Sequence, residues 1–304
     1  MKQSTIVLFF AAGLFLAAVS CKSQYELLLS GNDSEAKYRA AFEYFNRGKY
    51  QKAAQLFESL AQFSSGTSRD DTIQYYWGLS NYRFKDYYTA ETNFAKFLEN
   101  YPRSPFADDA AFLRIDCMFR STLRYELDQT PTRTAMATIS QYLSDTGGTN
   151  HEEALRRMLA QLQERLDKKD LENAKLYYKM EDYKAARVAF GNVLKENADN
   201  VYREEILYYT AMSSYRYAEM STRARQRERY LSFVDDYLNF IGEMPESKYR
   251  RELDAMYRRA QRALGRFTGS EDELEEKKVN FEKERRELEK REKKNNETSG
   301  KTRS

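Results

Sequence analysis

Ala41-Phe-Glu-Tyr-Phe-Asn-Arg-Gly48-Lys-Tyr50-Gln-Lys-Ala53, running on to Phe57, is written twice more along the chain. The second copy is Gly78-Leu-Ser-Asn-Tyr-Arg-Phe-Lys-Asp-Tyr87-Tyr-Thr-Ala90 through Phe94. The third is Ala174-Lys-Leu-Tyr-Tyr-Lys-Met-Glu-Asp-Tyr183-Lys-Ala-Ala186 through Phe190. In each, a small residue is followed by aromatic side chains and a short polar turn. A tyrosine, an alanine three positions on and a phenylalanine four beyond that complete the unit. Self-similarity of this kind marks a repeat architecture, and it decides the fold.

The repeated unit resembles the tetratricopeptide repeat, a helix-turn-helix with a period near 34 residues. The spacing has a steric basis. Ala41, Gly78 and Ala174 on the first helix, and Ala53, Ala90 and Ala186 on the second, stand where the paired helices approach most closely. The tyrosine and phenylalanine fill the space toward the next repeat. Gly48 can take the left-handed conformation that ends a helix, and Pro102 falls where the second helix of its repeat should stop.

Two further hairpins are degenerate. One pairs a helix near Asp108–Leu123 with another around Thr134–Leu143, across a loop containing Asp128 to Pro131. The last pairs Arg203–Met220 with Arg225–Gly242 and closes at Pro245. A helix from Glu152 to Lys168 precedes the third clear repeat, and one from Lys248 to Leu264 caps the array. The expected fold is all-α, a solenoid of five helical hairpins over residues 35–265 with no β-strands. A charged tail follows over 266–304.

Upstream of the repeats, Lys2 and the apolar run from Ile6 to Val19 form a segment too short to span a bilayer, which takes roughly 20 residues. It reads as the apolar core of a secretory signal covering 1–20. Ala18-Val19-Ser20-Cys21 resembles the lipobox of bacterial lipoproteins, in which the cysteine is acylated after the signal is cut. An ordinary cleavable signal with an incidental cysteine is the alternative. Several acyl chains, each buried CH₂ contributing about 0.8 kcal/mol, make such an anchor effectively permanent. Residues 21–34 are then a lipidated linker. Lys22 is not the aspartate associated with inner-membrane retention, so an outer-membrane location is expected.

Composition narrows the function classes. A net charge of +3 gives no sign of a nucleic-acid partner. With Cys21 acylated, Cys117 has no partner, so no disulfide framework exists, and Cys117 reads as a small core residue in the stretch Ala110 to Phe119. His151 is the only histidine and reads as a solvated helix-start residue. No phosphate-binding glycine loop, CxxC or HExxH pattern occurs, and pairs such as Asp108-Asp109 and Asp235-Asp236 are expected in a chain that is 32% charged. The chain is therefore expected not to be an enzyme, to bind no metal, and to carry no cofactor beyond the covalent lipid at Cys21.

The 24 tyrosines and 18 phenylalanines exceed what a catalytic reading would use. Many fill space between helices. Tetratricopeptide arrays also use the inner face of their first helices as a peptide groove, and the positions expected there are Tyr38, Phe42, Phe45, Tyr75, Tyr82 and Arg83. Aromatic rings with polar tips and an arginine suit a peptide with alternating aromatic side chains.

A lipobox cysteine, a short spacer and five hairpins resemble the BamD family of outer-membrane lipoproteins. The likeness also covers Leu162–Leu166, Glu172–Tyr178, Tyr183–Phe190 and the link Asn100–Asp109. It extends over about residues 21 to 265. It implies a scaffold of the β-barrel assembly machinery on the periplasmic face of the outer membrane. The N-terminal repeats would receive unfolded barrel-protein segments, and the C-terminal repeats would dock a BamA-like partner. Arg203 matches a family arginine at that docking surface, with Tyr208 and Tyr215 on the same helix; a solvated helix-end charge is the alternative for Arg203. Two other readings stand beside it. A coordinator of the Tol–Pal type would carry a coiled coil before its repeats. A SusD-like glycan binder would be longer and carry exposed tryptophans, whereas Trp77 is the only one here.

The tail departs from the family pattern. Residues 271–304 hold eleven acidic residues and as many basic ones, with i,i+4 pairs such as Glu282/Arg286 that support a helix. Leu274, Val279, Phe281 and Leu288 are too few to bury a core, so a solvated helix fraying into disorder is expected, with a coiled-coil contact to a partner as the alternative.

Overall fold

In a computed structural model the chain is described over residues 24–146, 149–268, 279–283 and 285–287. The signal and Cys21 lie outside these residues, as does most of the tail. The chain divides into two compact units, Met1–Leu162 and Gln163–Ser304.

The first unit contains α1 (Gln24–Ser30), α2 (Ser34–Asn46), α3 (Tyr50–Ala61), α4 (Asp70–Phe84), α5 (Tyr87–Asn100), α6 (Ala107–Arg120) and α7 (Thr130–Thr146). The long α8 (Glu152–Lys179) begins in it, and the division falls within that helix. The second unit holds the remainder of α8, then α9 (Tyr183–Glu196), α10 (Arg203–Glu219), α11 (Arg223–Glu243) and α12 (Arg250–Thr268). Among the described residues there is no β-strand, and no helix is long and apolar enough to cross a membrane. The fold is an all-α array of tetratricopeptide-like hairpins, as the repeats require.

The repeat positions do what their sizes demand. Ala41, Ala53, Ala90 and Ala186 are fully buried, and so are Phe57, Phe94 and Phe190. At Gly78 the helices are closer still, since a Cβ there would come within 2.9 Å of the Phe94 ring. Each of the three clear repeats turns through a left-handed residue two positions before the repeat tyrosine. It is Gly48 in the first repeat (φ +72°), Lys85 in the second (φ +69°) and Glu181 in the third (φ +62°). The next residue starts the second helix, and Asp86 and Asp182 there accept hydrogen bonds from the amides of Thr89 and Ala185. Lys49 holds that place in the first repeat and makes no such bond.

The structure corrects four boundaries. Residues 24–30, expected as linker, form α1. Tyr25 locks it to the first hairpin, edge-on to Tyr44 with centroids 5.3 Å apart and its hydroxyl donating to Gln55 Oε1 at 2.6 Å. The second degenerate helix begins at Thr130, with Pro131 inside its first turn, where a missing N–H costs nothing. The helices expected on either side of residue 170 are one helix, α8, because the polar run from Asp167 to Asp170 contains no breaker. Asp167, buried, is satisfied by Gln163 and Asn197 side chains at 2.8 Å each. In the tail, residues 279–283 are helical and Phe281 packs against the core of the second unit, so this stretch is not wholly solvated.

A left-handed backbone is unfavourable for a residue with a Cβ. Lys85→Gly and Glu181→Gly are each expected to stabilise the chain by about 1 kcal/mol, and Gly48→Ala to destabilise it by a similar amount. Urea unfolding followed by circular dichroism measures all three.

Candidate functional site

A cleft of about 420 Å³ in the first unit opens between α2 and the segment 62–69 that joins α3 to α4. Its floor is apolar, made by Leu60 and Ile73, both buried. Tyr38 forms one wall. The Arg69 guanidinium lies over its ring at 4.8 Å and donates to Glu35 Oε1 at 2.7 Å. Phe63 stands at the rim with 77% of its surface exposed.

Asp70, at the start of α4, holds this segment in place. Its carboxylate accepts from the Ser64 hydroxyl at 2.6 Å, the Gly66 amide at 3.2 Å and the Tyr101 hydroxyl at 2.5 Å. Gly66 sits at φ +79°, where glycine carries no steric penalty. Burial by itself would raise the Asp70 pKa, but the bonds from Ser64, Tyr101 and Gly66 outweigh it and hold the carboxyl below its usual range. Burial, together with the same contact, pushes Tyr101 up to about 12. The cleft is thus an apolar trough with a rim of hydroxyls and one tethered ion pair, suited to an apolar or aromatic side chain on a peptide backbone.

Of the six groove positions expected from sequence, Tyr38 alone lines this cleft. Phe42 and Phe45 lie in an aromatic cluster around Tyr76, at 4.7 and 5.3 Å between centroids. Tyr75 is buried and stacked on Phe106 at 4.5 Å. The Tyr82 hydroxyl donates to Asp116 at 2.5 Å, beneath the Arg120 guanidinium. Arg83 is exposed on the surface of α4. These aromatics pack the hairpins against each other; Tyr75 is buried, while Phe42, Phe45 and Tyr82 keep part of their surface exposed. Sequence reasoning missed Phe63, Arg69 and Asp70. The available signal was a phenylalanine at the head of the polar run from Ser64 to Arg69.

In the second unit, Arg203 makes a bidentate pair with Glu243 at 2.6 and 3.0 Å and donates to the Ala198 carbonyl at 2.9 Å. The pairing raises its pKa. It remains partly exposed. Tyr208 is buried and stacked on Tyr249 at 4.1 Å, its hydroxyl donating to Glu252 at 2.9 Å. Tyr215 is 3% exposed and packs on Phe233. Both tyrosines thus face the core, where a partner could reach them only after repacking, and Arg203 alone of the three is at the surface.

The remaining reactive groups are structural. Cys117 is fully buried, and burial pushes its thiol up to about 12, which leaves it inert. His151 is half-buried rather than solvated. It stacks on Phe112 at 4.0 Å and lies 3.1 Å from Asp109. Trp77 is partly buried against the first core layer and forms no exposed platform. Among the described residues no group of His, Cys, Asp and Glu could hold a metal ion.

A family model described as "YfiO: Outer membrane lipoprotein" matches residues 31–231. No curated protein matches the chain.

A carboxyl with a depressed folded pKa stabilises the chain above the unfolded value, about 3.9, and loses that contribution as pH falls through the folded value. Wild type should therefore exceed Asp70→Asn in stability at pH 7. The gap should narrow steadily below about pH 4. Urea unfolding of both proteins across that range measures it.

Proposed function

Because the chain belongs to the YfiO family, the BamD family of outer membrane lipoproteins, we propose that it is a non-catalytic scaffold of the β-barrel assembly machinery. A role in outer-membrane assembly follows from the family. The finer reading is that the first unit receives segments of unfolded barrel proteins and the second docks a BamA-like partner.

The observation that carries the first part is the Tyr38–Phe63 cleft. A barrel strand alternates apolar and polar side chains, so an extended segment presents one aromatic side chain at a time, with polar neighbours on either side. The trough over Leu60 and Ile73 accepts the ring, and the Thr67 and Ser68 hydroxyls meet the backbone. Phe63 stands in solvent at the rim of that trough, 77% exposed, where its ring can close over a bound side chain. For the second part, Arg203 offers a planar, bidentate donor at the surface, at present engaged by Glu243. A partner carboxylate could take over that fork. The anchor is proposed at Cys21, on the periplasmic face, with α1 tied to the first hairpin three residues later. That spacing keeps the cleft near the membrane that the substrates must enter.

Phe63→Ala should leave the urea midpoint unchanged, since the ring contributes little to the core. It should weaken binding of a fluorescent peptide with alternating aromatic residues by about fivefold or more. Equal affinity of variant and wild type by fluorescence anisotropy would remove the cleft from the account. Arg203→Glu should abolish co-purification of the BamA-like partner and leave peptide affinity as it was; retained co-purification would remove Arg203.

A further inference from the structure

The outer face of α9 carries Lys184, Arg187, Val188 and Gly191 on one stripe, at i, i+3, i+4 and i+7. Two features of this stripe are open to a partner. Val188 is 56% exposed. Gly191 is a mid-helix glycine, which costs helix stability relative to alanine, yet a Cβ there would meet nothing within 4 Å. At Gly78 a glycine is required by the chain's own packing; at Gly191 it is not.

Beside the stripe a cleft of about 310 Å³ runs between α9 and α11, with Tyr217 of α10 on its wall. Its ion pairs are divided unequally. Arg187 is held by Asp236 in a bidentate pair at 2.6 and 2.9 Å, and Arg225 lies 3.5 Å from Glu228. Arg229 lies on the Tyr217 ring at 3.8 Å and donates to the Ser221 hydroxyl, with no carboxylate in ion-pair range among the described residues. Lys184, exposed on the opposite wall, likewise has none. Two uncompensated cations thus face each other across a cleft, beside an apolar side chain and a length of bare helix backbone.

We propose that this cleft docks an acidic segment of a partner protein. Carboxylates of that segment bind Lys184 and Arg229, an apolar residue covers Val188, and its backbone lies against α9 at Gly191. Charge complementarity selects the occupant. Two cations are too few to track a nucleic-acid backbone, whose binding is built from many phosphate contacts. A small free anion would use the cations but would have no use for Val188 or Gly191. The site is separate from the Tyr38–Phe63 cleft and from Arg203, so it stands or falls independently of the assembly reading.

The test uses the full-length chain with its anchor, in detergent, titrated into a fluorescent peptide of glutamates interspersed with leucine. Anisotropy should report binding that weakens with added salt and falls about tenfold on Lys184→Glu. Gly191→Leu is the decisive variant. It should raise the thermal midpoint, because leucine favours a helix and its Cβ meets nothing within 4 Å, while lowering peptide affinity about tenfold. Arg203→Glu should change neither reading. Absence of binding would overturn the proposal, as would binding that survives both Lys184→Glu and Gly191→Leu. Inorganic phosphate that binds through Lys184 without sensing Gly191→Leu would show a small-anion site, and the proposal would fall.

Discussion

Two helices that pack face to face can come no closer than the side chains between them allow. The repeated small residues set that distance here. Ala41 against the α3 face, Gly78 against Phe94 and Ala174 in the third repeat let each hairpin close tightly enough to bury a phenylalanine completely. That burial is the main favourable term available to a chain in which nearly a third of residues are charged. The aromatics then stack from one hairpin to the next, through Phe42–Tyr76 and Tyr75–Phe106 in the first unit and Phe190–Tyr209 in the second. A repeat protein holds together through such neighbour-to-neighbour layers, and its surface is left free for partners.

This division between packing and surface explains what could be read from the sequence and what could not. The hairpins were legible because small and large positions recur in the same order three times. Their turns were only partly legible. Gly48 announces a left-handed residue, but Lys85 and Glu181 adopt the same conformation with no composition signal, held there by the closure of the hairpin. The continuity of α8 was hidden because the polar run at Asp167 resembles a loop. It runs on as helix because it contains no breaker, and the buried Asp167 is satisfied by a segment thirty or more residues downstream.

The candidate site was less legible than the fold, for a related reason. Aromatic residues on the first helices of a repeat can face a groove or the next hairpin, and one sequence does not separate the two. Phe42, Phe45 and Tyr75 pack against neighbouring rings, whereas Phe63 reaches solvent from a connecting segment that no repeat pattern describes. Its position depends on Asp70 gathering Ser64, Gly66 and Tyr101, three groups spread over nearly forty residues. In the second unit the same ambiguity placed Tyr208 and Tyr215 beside Arg203 in sequence, while burial separates them from it in space.

The family assigns the chain to the outer membrane, α1 ties the anchor-proximal end to the first hairpin, and the two units carry chemically different surfaces: an amphipathic trough in one, arginine forks and a basic cleft in the other. The most direct test of the assembly role is depletion of the chain from growing cells, with folded barrel proteins in the outer membrane quantified over time. The account predicts that their level falls as the chain is lost and that unfolded precursors accumulate; barrel proteins that reach the outer membrane at undiminished levels would contradict it.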